Sequence, residues 1–398
     1  MTQRFYAKYL NNRTIHLITF LGFVFGFSSA LLTYVTSTYF KQVINSDNIA
    51  VFYVITFALT LVALFNLDRL IEGFGRARTL MSLLFIQVGI LFYLQFIPIS
   101  IGGALFLMLY ILFSSIIAVV FDIVLEAYSK DGNTGRIRGI FLSVWNLGFL
   151  VGPLCSVYLL EHFGFGSIFF VVMIIYVVMF LTVFMALNDI KGHVKKKSLS
   201  IKQTVNLFHK NTALFKIYWI SFTLRFFYVI MTIFIPLYLR DIGLSWEDIG
   251  IIFTVMLLPF IFVEYPAGYL ADTKFGEKEM LFLGMFILII SVWGMFAVDS
   301  ASLIFWTSIF FISRIGAALV ESMQDSYFYK QINDNDVALI NFFRSTRTMA
   351  YVTASLLMGL VLFLVNDISI IFIVLLLVLI IGFYPIIMLR DTEPNNKI

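Results

Sequence analysis

A single cysteine in 398 residues, Cys155, leaves no partner for an intramolecular disulfide. It reads as a small apolar packing residue. The four histidines, His16, His162, His193 and His209, are scattered without metal-ligand spacing, and no serine or cysteine motif supplies a nucleophile. The case for an intramembrane enzyme is therefore poor, and no metal or other cofactor is expected. Charged residues are only 13% of the chain and apolar ones 61%, against roughly 25% and about 45–50% in an ordinary soluble domain. A soluble fold could not hide this much apolar surface. Strand signals are weak as well, because the apolar stretches are continuous and no regular turn chemistry divides them. The expected fold class is an all-α integral membrane protein.

What is present is a set of twelve apolar stretches. Their predicted bounds are 15–39, 49–66, 80–97, 101–127, 138–161, 165–188, 214–239, 248–270, 279–298, 302–328, 338–364 and 367–389. At about 1.5 Å per residue, stretches of 20 to 26 residues cross a hydrocarbon layer of about 30 Å with some tilt. The second half echoes the first at an offset of 199 residues. Tyr39-Phe40-Lys41 corresponds to Tyr238-Leu239-Arg240, and Asp122, Glu126 and Tyr128 correspond to Glu321, Asp325 and Tyr327. The expected organisation is a six-helix bundle over 1–188, a basic linker over 189–213 and a second six-helix bundle over 214–398. Parallel repeats of this kind place a solute path between halves that rock against each other.

Twenty-one of the 27 lysines and arginines fall at the termini, the linker and the even-numbered turns, and only Lys41 and Arg240 fall on the opposite side. That bias places both termini in the cytoplasm, and a bacterial cytoplasmic membrane is the expected location. The net charge of +4 then reflects topology, and no nucleic-acid partner is expected. Basic residues before an apolar run resemble a signal peptide, but the run continues to about Tyr39, and cleavage near Ser28-Ser29-Ala30 would destroy one helix of the repeat. An uncleaved first span is expected. Within the linker, SLSIKQTVNLFHKN has apolar residues at Leu199, Val205 and Phe208 with basic residues between. A short surface helix and a solvated linker both fit.

After the eighth span stands GYLADTKFGEK, Gly268 to Lys278, with Gly268, Asp272, Gly276 and Lys278 at the spacing G-x-L-x-D-x-x-x-G-x-K/R. LDRLIEGFGRAR, Leu67 to Arg78, looks like a degenerate copy with Ile71 where Asp272 stands. Together with twelve spans, a central basic linker and the repeat, this resembles the major facilitator superfamily over the whole chain. The resemblance implies a cytoplasmic latch at the loop and a central cavity lined by the first, fourth, seventh and tenth spans. Gly139, Gly148, Gly152 and Pro153 are similar to the antiporter motif of drug-exporting members, with Ser156 where that motif ends in glycine. Close packing alone favours the same small residues.

Charges inside the spans cost roughly 2.5–3.5 kcal/mol each on insertion scales, so each needs a partner, water or a function. Arg225 and Arg314 lie near the middle of the seventh and tenth spans. By the resemblance both are near a substrate, where planar guanidinium forks suit an anion. Ser221, Arg225, Tyr228 and Thr232 form one helical stripe, while Ser29 and Thr33, with Gly22, Gly26 and Thr36, form an uncharged face on the first span. The expected substrate-binding residues are Arg225, Arg314, Tyr228, Ser29 and Thr33. Glu264 competes as a partner for one arginine. Asp122, Glu126, Glu321 and Asp325 lie nearer the cytoplasmic ends, with Arg136, Arg138, Arg344 and Arg347 as basic partners, and read as gate residues. Glu264 or Glu321 is the expected proton-coupling carboxylate.

The expected function is secondary active transport of a small solute by alternating access, proton-coupled and with an anion favoured, by a monomer in the lipid bilayer. A drug/proton antiporter exporting hydrophobic compounds is the alternative, which the resemblance weakens, because it implies an acidic residue in the first span and an arginine in the fourth for exporters of cationic drugs and this chain has neither. A non-transporting membrane sensor on the same fold is the alternative from another class.

Overall fold

The computed structural model describes residues 2–128, 134–186, 201–298, 300–332, 337–365 and 367–390. The side chains of 2–13, 65, 68, 126–128, 134–140, 142, 201, 202, 204, 205, 265, 272, 337, 338 and 341 lie outside that description. Every element among the described residues is a helix. The chain forms two compact units, Met1–His193 and Val194–Ile398.

The first unit contains α1 (Thr2–Thr33), α2 (Thr36–Ile44), α3 (Ala50–Phe74), α4 (Arg76–Leu94), α5 (Ile101–Tyr128) and α6 (Thr134–Ala186). The last is two helices meeting at Gly164, where φ 73° and ψ −176° interrupt the helix. The second unit contains α7 (Ile201–Lys210), α8 (Thr212–Ile233), α9 (Ile235–Asp241), α10 (Trp246–Val255), α11 (Leu258–Phe262), α12 (Glu264–Thr273), α13 (Glu277–Ala297), α14 (Leu303–Lys330), α15 (Val337–Leu364) and α16 (Ile370–Ile387). Among the described residues ten helical stretches are long and apolar enough to cross a membrane, and Ala50–Leu64 is a shorter apolar one. Their outward faces carry large apolar side chains such as Phe85, Phe184, Ile304 and Phe363. Only lipid satisfies such surfaces, since the helices bond their own backbone internally.

Two predicted spans are bent at matching places. The first breaks at Val35 and the seventh at Phe234, 199 residues apart, each with near-helical angles of φ −95°, ψ −15° and φ −101°, ψ −30°. In the second unit Pro236 opens the next helix and removes a backbone donor. At the matching break in the first unit no proline is present. Instead the Thr33 and Thr36 hydroxyls donate to the carbonyls of Ser29 and Leu32, at 2.7 and 2.6 Å, a back-bond that bends helices. The eighth predicted span is broken twice, into α10, α11 and α12, with Pro259 at the start of the middle piece.

The turn regions correct two sequence readings. The segment Leu67–Phe74 is helical, because nothing in it breaks α3 before Gly75; likewise Gly268–Thr273 belongs to α12. The first reversal is made at Gly75 and the second, over residues 274–276, is completed at Gly276, at φ 88°, ψ 155° and φ 92°, ψ 162°. These angles lie where a Cβ is strained, so glycine is required at both. The degenerate first copy has kept the one position its geometry needs.

Without a hydrophobic force between helices in lipid, close packing holds a bundle together. In the first unit α1 and α6 approach backbone to backbone: a Cβ on Gly26 would strike the Trp145 carbonyl, one on Gly148 the Phe23 carbonyl, and one on Gly152 would strike Ala30. Ser156 completes that stripe by donating to the Leu31 carbonyl at 2.6 Å. In the second unit α13 and α14 meet at Gly284 and Gly316, where a Cβ on either would lie 2.8 or 2.6 Å from the other's carbonyl oxygen. The short helix α7 is present in the linker region, with Phe208 buried against Tyr218, Phe328 and Phe342. Residues 187–200 of the linker, including Leu199, lie outside the described residues.

Candidate functional site

The charged residues of the second unit converge between α8 and α14. Counting about 1.5 Å per residue, Arg225 lies about 20 Å along α8 from Thr212, and Glu321 about 13 Å along α14 from Lys330. Arg225 Nη1 sits 2.9 Å from Glu321 Oε1, and the Tyr228 hydroxyl donates to Glu321 Oε2 at 2.7 Å. One carboxylate is thus held at both oxygens by one turn of α8. The Arg225 and Glu321 side chains remain 24% and 26% exposed, so the pair is open at one side.

Arg314 is packed among aromatic and thioether side chains. It is buried, with 4% exposure, and its guanidinium lies 4.9 Å from the Phe227 ring centroid and 5.5 Å from that of Tyr228. Its Nη2 points at Met256 Sδ, 3.6 Å away. Aromatic faces and a polarizable thioether suit a weakly hydrated cation. Arg314 therefore backs the ring of Tyr228, while Arg225 is the guanidinium at the open side. The Tyr228 ring is also 6.2 Å from that of Phe260 on α11.

Glu264, at the first position of α12, does not hold Arg225; Glu321 does. It lies within electrostatic reach of Glu321 and Asp325, so three carboxylates share this region with two arginines. Glu321, expected as a gating or coupling carboxylate, is held by the arginine of α8. On α15 Arg344 is half-buried and Arg347 exposed. In the first unit Asp122 is half-buried, whereas the side chains of Glu126, Arg136 and Arg138 lie outside the described residues. Ser221 bonds Thr346 Oγ1 at 3.2 Å and so faces α15 rather than the cluster.

The uncharged face expected on the first span is largely consumed by packing. Gly22 and Gly26 meet Phe141 and Trp145 of α6, and the Thr33 hydroxyl is turned to the Ser29 carbonyl; Ser29 and Thr33 are half-buried. The first unit holds a different polar cluster that sequence reasoning missed. Gln87 Nε2 donates to the Tyr110 carbonyl and to Ser114 Oγ, both at 3.0 Å, and Ser114 Oγ lies 3.1 Å from the Tyr176 hydroxyl. Gln87 and Tyr176 are fully buried.

At the loop motif, Gly268 is helical with open space where a Cβ would lie, and Lys278 is half-buried. The Asp272 side chain lies outside the described residues. The residue that does the joining is Glu277, 1% exposed. It pairs with Lys330 at the end of α14 and accepts from Ser326 Oγ at 3.0 Å. Its place in the motif is a free position, so only the lysine at the matching helix end pointed to it. Among the described residues no cluster of three metal-binding side chains occurs.

Twelve-span patterning, a repeated pair of glycine turns and an intramembrane ion pair restrict the family, and one comparison decides it. The family model of the Major Facilitator Superfamily matches residues 18–346. The chain belongs to the major facilitator superfamily. As a major facilitator it is a transporter and an integral membrane protein, not an enzyme. Solved superfamily-type structures share its fold. The POT family transporter PepTSo aligns with TM-score 0.74 at 12% identity over 94% of this chain and 97% of its own. A bacterial homologue of the iron transporter ferroportin, in an inward-facing state, aligns with TM-score 0.73 at 13% identity over 94% and 98%. A bacterial homolog of the human lysosomal transporter Spinster, inward-facing and unoccupied, gives 0.72 at 11% over 95% and 96%. At such identities the likeness is one of fold. No curated protein sequence matches this major facilitator.

Proposed function

We propose that this major facilitator is a proton-coupled secondary carrier that moves a small anionic solute by alternating access. The observation that carries the reading is the half-open pair of Arg225 and Glu321, completed by Tyr228, within the spans of the second unit. A guanidinium kept in a membrane helix and left partly exposed has a ligand role by default. Glu264 and Asp325 within electrostatic reach supply carboxylates whose protonation changes the local charge. Asp122, Glu126, Asp325, Arg344 and Arg347 are assigned to gating, and Gly268, Asp272, Gly276 and Lys278 to the cytoplasmic latch. The distribution of basic residues supports cytoplasmic termini in a bacterial inner membrane, and a monomer is the unit proposed.

Export of hydrophobic compounds in exchange for protons is the second reading, suggested by Gly148, Gly152 and Ser156. Because those residues are engaged with α1, packing accounts for them without an export role. Solute counterflow in proteoliposomes, with and without an imposed pH gradient, tests both. Saturable uptake of an anion that rises with an inward proton gradient and falls in Arg225→Lys is the expected result. Saturable flux of hydrophobic cations, unaltered in that variant, overturns the anion reading.

A further inference from the structure

We infer that Glu321 is a tethered stand-in for the solute's own carboxylate, so that the solute class is a small organic carboxylate. The inference rests on the carrier reading above and gives its binding site a chemistry. Arg225 and Tyr228 already bind a carboxylate: one oxygen accepts from the guanidinium at 2.9 Å and the other from the phenol at 2.7 Å. Two donors spaced along one helical turn, each taking one oxygen of a planar group, already accommodate a carboxylate. The phenol is held in place from behind, since the Arg314 guanidinium and the Phe260 ring lie against the Tyr228 ring. Arg225 and Glu321 are each about a quarter exposed, so an incoming anion has access to the pair it must open.

The exchange has a definite charge balance. Arg225 and Tyr228 of α8 and Glu264 of α12 lie within electrostatic reach of Glu321, while Asp325 of α14 reaches Arg225 and Glu264, and Arg314 reaches Tyr228. On α13 the acidic Glu277 is taken by Lys330. A solute carboxylate that displaced an ionised Glu321 from Arg225 would add one negative charge beside Glu264, Asp325 and the released Glu321. A proton added to the released carboxyl restores the original charge. The solute anion therefore enters with one proton, and Glu321 leaves Arg225 as a neutral acid.

The test uses the full chain, purified in detergent, with acetate, lactate and succinate as probes, their amides as neutral controls and inorganic phosphate as the competing oxyanion. Binding is read by calorimetry at pH 5.5 and pH 8, separately from flux. Wild type is expected to bind at least one carboxylate at least tenfold more tightly at the lower pH and to ignore the amides. Glu321→Gln removes the internal competitor, so its affinity rises about tenfold and its pH dependence flattens. Arg225→Lys loses binding. Should Glu321→Gln fail to fold, Glu321→Asp carries the affinity prediction alone, since its shorter side chain cannot reach both donors but keeps a carboxyl. No binding of any carboxylate, phosphate preferred over all of them, or folded Glu321 variants with unchanged affinity overturns the proposal. Carboxylate binding without counterflow would overturn the carrier reading alone.

Discussion

Gly148→Ala should destabilise the first unit, and Gly89→Ala should not. A Cβ on Gly148 would press on the Phe23 carbonyl and lie 2.7 Å from the Phe27 amide nitrogen, both parts of the α1 backbone. Comfortable contact needs about 3.5 Å, so the two helices must part by about 1 Å, and overpacking of this kind costs about 1–3 kcal/mol. Gly89 on α4 has nothing within 4 Å of the same added atom. There alanine adds only helix propensity and gains about 0.5–1 kcal/mol. The two single-methyl variants should therefore differ by about 1.5–4 kcal/mol, and at about 2–4 °C per kcal/mol for a unit of this size their midpoints should separate by at least about 3 °C. Thermal unfolding in detergent, followed by tryptophan fluorescence, reads the difference. Equal midpoints would refute the packing account of the α1–α6 stripe, and equal midpoints with lost transport would return Gly148 to an export role.

Lys330→Ala should cost about 1–3 kcal/mol, below the usual range for breaking a buried pair because the lysine is 42% exposed and water partly replaces it; a thermal shift in detergent checks this, and Glu277→Gln on the same background should recover part of the loss. Phe208→Ala removes the ring that joins α7 to α8, α14 and α15 and should cost about 3–5 kcal/mol of that local docking. Limited proteolysis near Lys210 should then accelerate, and an unchanged cleavage rate would contradict it. Asp367, before α16, is held below the usual carboxylate range by hydrogen bonds from the Ser369 hydroxyl and amide. A lowered value stabilises at all pH above the ordinary aspartate pKa of about 3.9, and the contribution fades as pH falls through the folded value. Amide protection at Ser369 should be flat from pH 7 to 5 and drop near pH 3, whereas Asp367→Asn should show no such drop.

Span number and repeat were legible because continuous apolar runs and the 199-residue offset survive in the letters themselves. Helix ends were less so: α3 runs on to Phe74 through a charged stretch because only Gly75 has the angles that stop it. Arg225 and Arg314 were visible as charges out of place, but depth counted along single helices gave no sign that Arg225 bonds Glu321. The arginine's reach across α8 and α14 is a tertiary fact, and so is the burial of Arg314 under Phe227 and Tyr228. Neutral groups such as Gln87 and Ser114 drew no notice, since polar residues without charge are unremarkable in sequence until packing seals them in. Glu277 sat at a variable position of the loop motif, and only contact with Lys330 gives it meaning.

The paired bends at Val35 and Phe234 are one joint made in two materials. Pro236 offers no amide with which a straight helix could be rebuilt, and its ring would meet the carbonyl four residues back, so that joint is welded at its angle. Thr33 and Thr36 hold the other by hydroxyl contacts, which rotation of a side chain is enough to release. Duplication thus supplied two copies of a single elbow, of which one has become a strut and the other has kept its spring.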